Sequence, residues 1–237
     1  MMKQQLLIAL AIAGMQGAYA QLADVGPAHR LLKGVETEMY YPTISADGSK
    51  ILFTTENYQG LRCYDVNDNV VKVLSREPRA GLAAAEHFTA DDAVKAETRG
   101  SELLITRNGV SKSYSPVESY AGYLWASVSP DQKKVMFFAA GKGIFITDLN
   151  GNVISELGNY ESPSWYGNDF VVAMDAKDDG HQFSSSRIVL IKADGSEMQP
   201  LTRPESMSMN PSGSIKAGKV VYNTIDGMLY EIEVKLH

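Results

Sequence analysis

Beyond Gln21 the chain shows no sustained helical periodicity. Apolar residues instead alternate with polar ones in short runs bounded by turn residues, the pattern of half-buried strands. Strand-like segments run over Leu61–Val66, Leu103–Arg107, Ile144–Leu149 and Ile188–Ala193. They end at Asn67-Asp68, Asn108-Gly109, Asn150-Gly151 and Asp194-Gly195, whose first residues lie 41, 42 and 44 positions apart. Asn-Gly and Asp-Gly suit tight hairpins because both central residues need positive φ. Short alternating runs follow three of the turns, Val70–Leu74, Val110–Tyr114 and Val153–Leu157. The fourth continues as Glu197-Met198-Gln199-Pro200-Leu201-Thr202.

A second series interleaves with the first. Pro42-Thr43-Ile44-Ser45-Ala46-Asp47-Gly48-Ser49-Lys50-Ile51-Leu52-Phe53 reads as strand, turn, strand, and Trp125–Met136 repeats it in register. Weaker copies are Phe88-Thr89-Ala90-Asp91-Asp92 and Met209-Asn210-Pro211-Ser212-Gly213, with a shortened one at Pro163–Val171. On this alignment Ser45, Thr89, Ser129 and Asn210 hold equivalent places. Each unit is then four short strands in about 42 residues, the signature of a propeller blade. The predicted fold class is all-β, a β-propeller of five four-stranded blades. The fifth unit supplies only three strands, around Met207–Met209, Lys219–Thr224 and Met228–Val234. Ala28–Gly34 resembles the unit-ending stretch Met198–Arg203, so the N-terminal strand is expected to complete the last blade and leave no open edge.

The Ser-Pro-Asp element at 129–131 and the Ser-Ala-Asp-Gly element at 45–48 resemble the TolB-type propeller repeat, one of the WD-like propeller patterns. That repeat runs Pro-x-Phe-Ser-Pro-Asp-Gly-Lys-x-Ile-x-Phe, followed by a strand, an Asp-Gly turn and a Leu-Thr ending. Residues 42–53 match its first half, and Ala193-Asp194-Gly195 with Leu201-Thr202 its second. The likeness spans residues 28–236. It implies the fold and little about activity, since the repeat occurs in TolB, in propellers of dipeptidyl-peptidase-like enzymes and in some polysaccharide lyases.

Composition narrows the function classes. The 237 residues carry 22 Lys and Arg against 28 Asp and Glu, a net charge of −6, which argues against a nucleic-acid module. In the first twenty residues a single charge, Lys3, precedes the apolar run Leu6–Ala13 and the small-residue exit Ala18-Tyr19-Ala20. This is the layout of a secretory signal, and the apolar run is too short to span a bilayer. Residues 1–20 are read as a signal peptide cleaved after Ala20, and residues 21–237 as one propeller domain, periplasmic or secreted. No transmembrane segment is expected after cleavage. Cys63 is the one cysteine, so no intramolecular disulfide can form; in Leu61–Val66 it reads as a small buried side chain.

Several near-motifs fail on chemistry. Gly213–Val220 almost spells a phosphate loop but ends in Val and runs into a strand pattern. Asp65–Asn69 and Asp148–Asn152 lack the Gly and closing Glu of a calcium loop and coincide with hairpin turns. Asp175–His181, which includes Asp178 and Asp179, reads as a solvated hairpin tip. No cofactor and no metal are expected, and no complete catalytic motif occurs. The innermost strand of each blade starts at one channel mouth. Those starts are read as Tyr40-Tyr41, Glu86-His87, Trp125, Trp165-Tyr166 and Met207. The candidate binding residues are therefore Tyr41, Glu86, His87, Trp125, Trp165 and Tyr166. Aromatic rims suit peptide side chains or sugar faces, while the same aromatics could instead wedge neighbouring blades together. The expected function is a non-catalytic module that binds a protein or peptide in the cell envelope. The alternatives are a glycan-binding or glycan-cleaving mouth that uses Glu86, and a structural module of an envelope complex.

Overall fold

In the computed structural model, residues 19, 21–34, 37–84, 88–89 and 92–237 are described. The proposed signal segment therefore lies outside the described residues, apart from Tyr19. So do Glu86, His87 and the Ala90-Asp91 part of the second-series motif. The strands form five antiparallel sheets arranged as a five-bladed β-propeller.

Two short strands, β1 (Ala23–Val25) and β2 (His29–Arg30), come first. Blade one is β3 (Tyr40–Ile44), β4 (Lys50–Thr55), β5 (Gln59–Asp65) and β6 (Val70–Ser75), in that order outward. Blade two is β7 (Val94–Arg99), β8 (Glu102–Arg107) and β9 (Val110–Tyr114). It has three strands among the described residues. Blade three is β10 (Tyr123–Val128), β11 (Lys134–Ala139), β12 (Gly143–Asp148) and β13 (Val153–Gly158). Blade four is β14 (Glu161–Trp165), β15 (Phe170–Asp178), β16 (Phe183–Lys192) and β17 (Met198–Pro200). Blade five is β18 (Ser208–Ser214), β19 (Lys219–Thr224) and β20 (Leu229–Leu236).

The N-terminal segment completes blade five, as expected, but over a longer stretch than the Ala28–Gly34 resemblance indicates. Ala23–Val25 pairs with Leu236–Val234, and His29-Arg30 pairs with Glu231-Tyr230. The break between the two short strands falls at Gly26-Pro27-Ala28, where Pro27 has no N–H to give to a ladder. The entry of this segment is clamped from blade four. The Gln199 side-chain oxygen accepts the backbone N–H groups of Leu22 at 2.6 Å and Ala23 at 2.9 Å, and its amide donates back to Ala23 O at 3.0 Å. Leu22 and Ala23 are thereby buried between blades four and five.

Central strands need both faces apolar, and their sequences show it. Along β11, Val135, Phe137 and Ala139 pack toward blade two, while Met136 and Phe138 pack toward blade four. Along β15, Val171 and Ala173 face blade three and Val172 faces blade five. Each seam between neighbouring blades is a separate apolar cluster. The blade-five to blade-one seam centres on Met39, Ile51, Phe53 and Leu229. The seam after blade one is built differently. Leu52 and Leu61 are covered by Ala80, Ala84 and Phe88 of the connecting segment, not by β7. The face of β7 that does not join the blade-three cluster carries Lys95, Glu97 and Arg99, all exposed.

The Ser-x-Asp elements fold as the repeat predicts, with one geometry in two blades. The Ser45 hydroxyl donates to Asp47 Oδ1 at 2.7 Å and accepts the Lys50 N–H at 3.0 Å. Ser129 does the same with Asp131 at 2.7 Å and Lys134 at 3.0 Å. The alignment of Asn210 with these serines is corrected by the structure. Asn210 sits earlier in its strand, and the place of Ser45 and Ser129 is taken by Ser214, whose hydroxyl donates to Ala46 O of the next blade at 2.6 Å.

Two outcomes test this account. Gln199→Ala strands the Leu22 and Ala23 N–H groups. It should cost about 1–3 kcal/mol, seen as a lower urea midpoint with an unchanged m-value. The second concerns Asp47, whose carboxyl is held well below the usual carboxylate range by the Ser45 hydroxyl and by the Ser49 N–H and hydroxyl. A depressed folded pKa stabilises above the ordinary carboxylate value, near 4, and that contribution fades as pH falls below it. Asp47→Asn should therefore flatten the acid limb of a stability-versus-pH curve below about pH 4 and leave its slope near pH 7 unchanged.

Candidate functional site

Each sheet is antiparallel, so its strands alternate in direction. The starts of the innermost strands, the turns between second and third strands, and the connections from blade to blade all lie at one mouth. The remaining turns lie at the other.

At the first mouth the innermost strands share a device that the sequence reading missed. Their pairing slips between Tyr40 and Thr43, Leu124 and Ser127, Glu161 and Ser164, and Met209 and Ser212. In each slip one residue has a left-handed backbone: Tyr41 at φ 52°, Trp125 at 53°, Ser162 at 46° and Asn210 at 51°. These are β-bulges, which re-aim a side chain and end local pairing. Pro42, Pro163 and Pro211 follow three of them, and Ala126 the fourth. Pro inside a strand is tolerated at a bulge because no ladder donor is needed there. The Pro spacing was the available signal for this shared position.

The bulge residues of neighbouring blades are joined through polar contacts. Ser162 Oγ donates to Asn210 Oδ1 at 2.9 Å, and Asn210 Nδ2 donates to Asn223 Oδ1 at 3.1 Å. The Tyr41 N–H donates to the same Asn223 oxygen at 3.2 Å. Asn223 is fully buried, so this chain ties blades four, five and one together beneath the mouth.

The sequence-predicted residues separate into three groups. Tyr41 and Trp125 occupy the equivalent bulge position. Trp125 is 38% exposed and leans on Phe138 at 5.1 Å between ring centres, and its neighbour Leu124 is 47% exposed. Tyr41 stacks on Tyr58 at 4.0 Å and 14°, with Tyr40 at 6.3 Å. Trp165 and Tyr166 do not belong at this rim. In the structural register they lie at the places of Ile44 and Ser45, toward the far ends of the strands. Trp165 is 7% exposed in the seam between blades three and four, its indole N–H donating to Ser127 O at 3.3 Å. Tyr166 is fully buried against blade five, its hydroxyl donating to Val234 O, and burial pushes that hydroxyl up to about 12. Their placement matches the packing alternative. Glu86 and His87 lie outside the described residues.

The opposite mouth is a set of self-satisfied turns. Asp65 accepts the N–H groups of Asn67 and Asp68, and Asp148 those of Asn150 and Asn152. Asp194 accepts the Ser196 N–H and hydroxyl, which help hold its carboxyl below the usual range. The calcium-like spacings are thus turn chemistry. Gly213–Val220 passes through a turn into β19, with no helix to receive a phosphate. The Asp175–His181 stretch closes the longest hairpin, β15–β16, which joins second and third strands and so lies at the first mouth. Asp175 is held by Arg187 at 2.7 Å, and Asp178 and Asp179 cap the tip's N–H groups. Among the described residues no group of three or more His, Cys, Asp or Glu is placed to hold a metal ion. No helix among them is long and apolar enough to cross a membrane. Cys63 is half-buried beside Leu52 and Leu61, and burial raises its thiol pKa.

No protein-family model matches the chain, and no curated protein matches it. Among solved structures it is similar to TolB from Acinetobacter baumannii, with 15% identity and a TM-score of 0.45 over 89% of this chain and 56% of that one. It is also similar to a putative TolB from Agrobacterium tumefaciens, with 14% identity and a TM-score of 0.42 over 87% and 79% of the two chains. A third similar structure is the tricorn protease, with 17% identity and a TM-score of 0.43, covering 81% of this chain and 20% of that one. The chain thus spans little more than half of the first of these. These are likenesses of fold between distant chains, and the five-bladed architecture stands on this chain's own strand order and register.

The bulge makes a separable prediction. Trp125→Asn keeps a residue that tolerates φ near 53°, whereas Trp125→Val puts a β-branched side chain there. The Val variant should be less stable than the Asn variant by about 1–3 kcal/mol in urea unfolding, although Val is the better strand former elsewhere.

Proposed function

We propose that the chain is a secreted or periplasmic, non-catalytic β-propeller that binds a protein or peptide partner in the cell envelope. On this reading residues 1–20 are a signal peptide, residues 21–237 form one propeller domain, and the partner meets the mouth at which the innermost strands begin. The supporting observation is the asymmetry between the two mouths. On one, a left-handed bulge holds Trp125 and Leu124 in solvent. Tyr58 and the 97% exposed Tyr120 occupy turns and connections of the same face. On the other, aspartates satisfy their own turns. Exposed aromatic residues gathered on one face of a well-packed protein mark an interaction surface, and aromatic side chains are enriched where partners dock.

The test is selection of displayed random peptides on the full chain, followed by binding to variants. Selected peptides should lose at least tenfold in affinity for Trp125→Asn combined with Leu124→Ser, and hold their affinity for Asp68→Asn on the opposite face. Peptides that bind both variants equally, or no selected peptide at all, would overturn the reading.

A further inference from the structure

The corner of the mouth between blades five and one has a chemistry of its own. Tyr40, Tyr41 and Tyr58 form a half-buried aromatic surface, with Tyr41 and Tyr58 nearly parallel at 4.0 Å. Their placement is fixed by backbone. Tyr41, Asn57 and Tyr58 all have left-handed φ, of 52°, 56° and 59°. Beside them the connection entering β3 is locked to the blade-five turn. Met39 N–H donates to Gly227 O at 2.8 Å, and a Cβ on Gly227 would meet Glu38 Cβ at 2.8 Å. Glu38 thus lies against the turn that carries Asp226.

Three exposed carboxylates, Glu38, Glu56 and Asp226, surround the Tyr40 hydroxyl, which burial and these charges raise above its ordinary pKa. Elsewhere the half-buried carboxylates Asp175 and Glu231 are matched by Arg187 at 2.7 Å and Lys219 at 2.9 Å. No Lys, Arg or His among the described residues pairs with the three around Tyr40. Aromatic ring faces carry negative quadrupole potential and attract ammonium and guanidinium groups. Carboxylates at the rim steer the same groups toward them.

We propose that Tyr40, Tyr41 and Tyr58, flanked by Glu38, Glu56 and Asp226, dock a lysine- or arginine-bearing extended segment of the partner protein. This rests on the mouth-binding reading above and names the chemistry of its partner. Tyr40 and the outward faces of the stacked Tyr41–Tyr58 pair receive the cationic side chains, and the carboxylates supply the complementary charge that the chain itself leaves unmatched.

The experiment titrates the full chain with fluorescein-labelled (Gly-Lys)5, (Gly-Glu)5 and (Gly-Gln)5 peptides at physiological salt. The Lys peptide should bind saturably and the other two should not. Tyr41→Asn and Tyr58→Asn remove a ring while keeping a residue that tolerates the left-handed backbone. Each should weaken binding by on the order of tenfold with the unfolding midpoint checked in parallel. The triple variant Glu38→Gln, Glu56→Gln, Asp226→Asn keeps the rings and should also weaken it. A charge-matched control away from the corner, Asp68→Asn, Glu156→Gln, Glu233→Gln, should not. Equal losses in control and corner variants would reduce the effect to the chain's overall negative charge and overturn the proposal. So would equal binding of the Gln peptide, or no saturable binding. Neutral peptides that bind the mouth through Trp125 would overturn this inference while leaving the mouth-binding reading intact.

Discussion

The structure depends on closing a ring. A central sheet such as β10–β13 is apolar on both faces, because Val135 and Phe137 point one way and Met136 and Phe138 the other. Such a sheet is stable only when a neighbour covers each side, and in a ring every blade has two neighbours. The seams are therefore the core, divided among several interfaces instead of gathered at one centre. Gln199 and the N-terminal segment matter because they seal the last sheet: β20 receives its outer partner from β1 and β2, and Leu22 plugs the adjoining seam. The seam after blade one is the exception. There a connecting segment covers Leu52 and Leu61, and the facing side of β7 is charged.

Much of this was legible in the sequence, because the repeat is written in chemistry that acts locally. Ser45 with Asp47 and Ser129 with Asp131 each close their own turn, so their spacing reports the blade period directly. The closing strand was also readable, since its composition matches the strand it replaces. The candidate site was less so. Trp125 and Trp165 looked equivalent as aromatics at the head of a unit, yet Trp125 sits on its strand's bulge and Trp165 lies three places beyond the bulge residue Ser162 of its own. Side-chain direction in a strand reverses with each residue, so this offset decides which ring meets solvent and which meets the neighbouring blade. Asn210 was misaligned for the same reason: Asn-Pro-Ser looks like a turn, and in β18 it forms a bulge.

The same bulge links scaffold to surface. It lets Asn223, buried in β19, serve the Tyr41 N–H and the Asn210 amide together, so the exposed rings stand on a buried polar tie across blades. Functional side chains are more accurately placed when the elements beneath them are fixed in this way. The rim is thus a continuation of the packing, not an ornament added to it.

The pairing of Ala23 with Leu236 has a kinetic consequence. It joins residues 213 positions apart, so the contact that completes the ring cannot form until β20 has been made. Until then β1 and β2 have no strand to pair with, and the face of blade one that carries Ile51 and Phe53 lacks its blade-five cover. Folding of such a topology is slow because distant segments must meet before their contacts stabilise anything. Its waiting state exposes strand edges to other chains. A chaperone that shields those edges until β20 is available would raise the yield of closed rings without altering any contact in the finished fold.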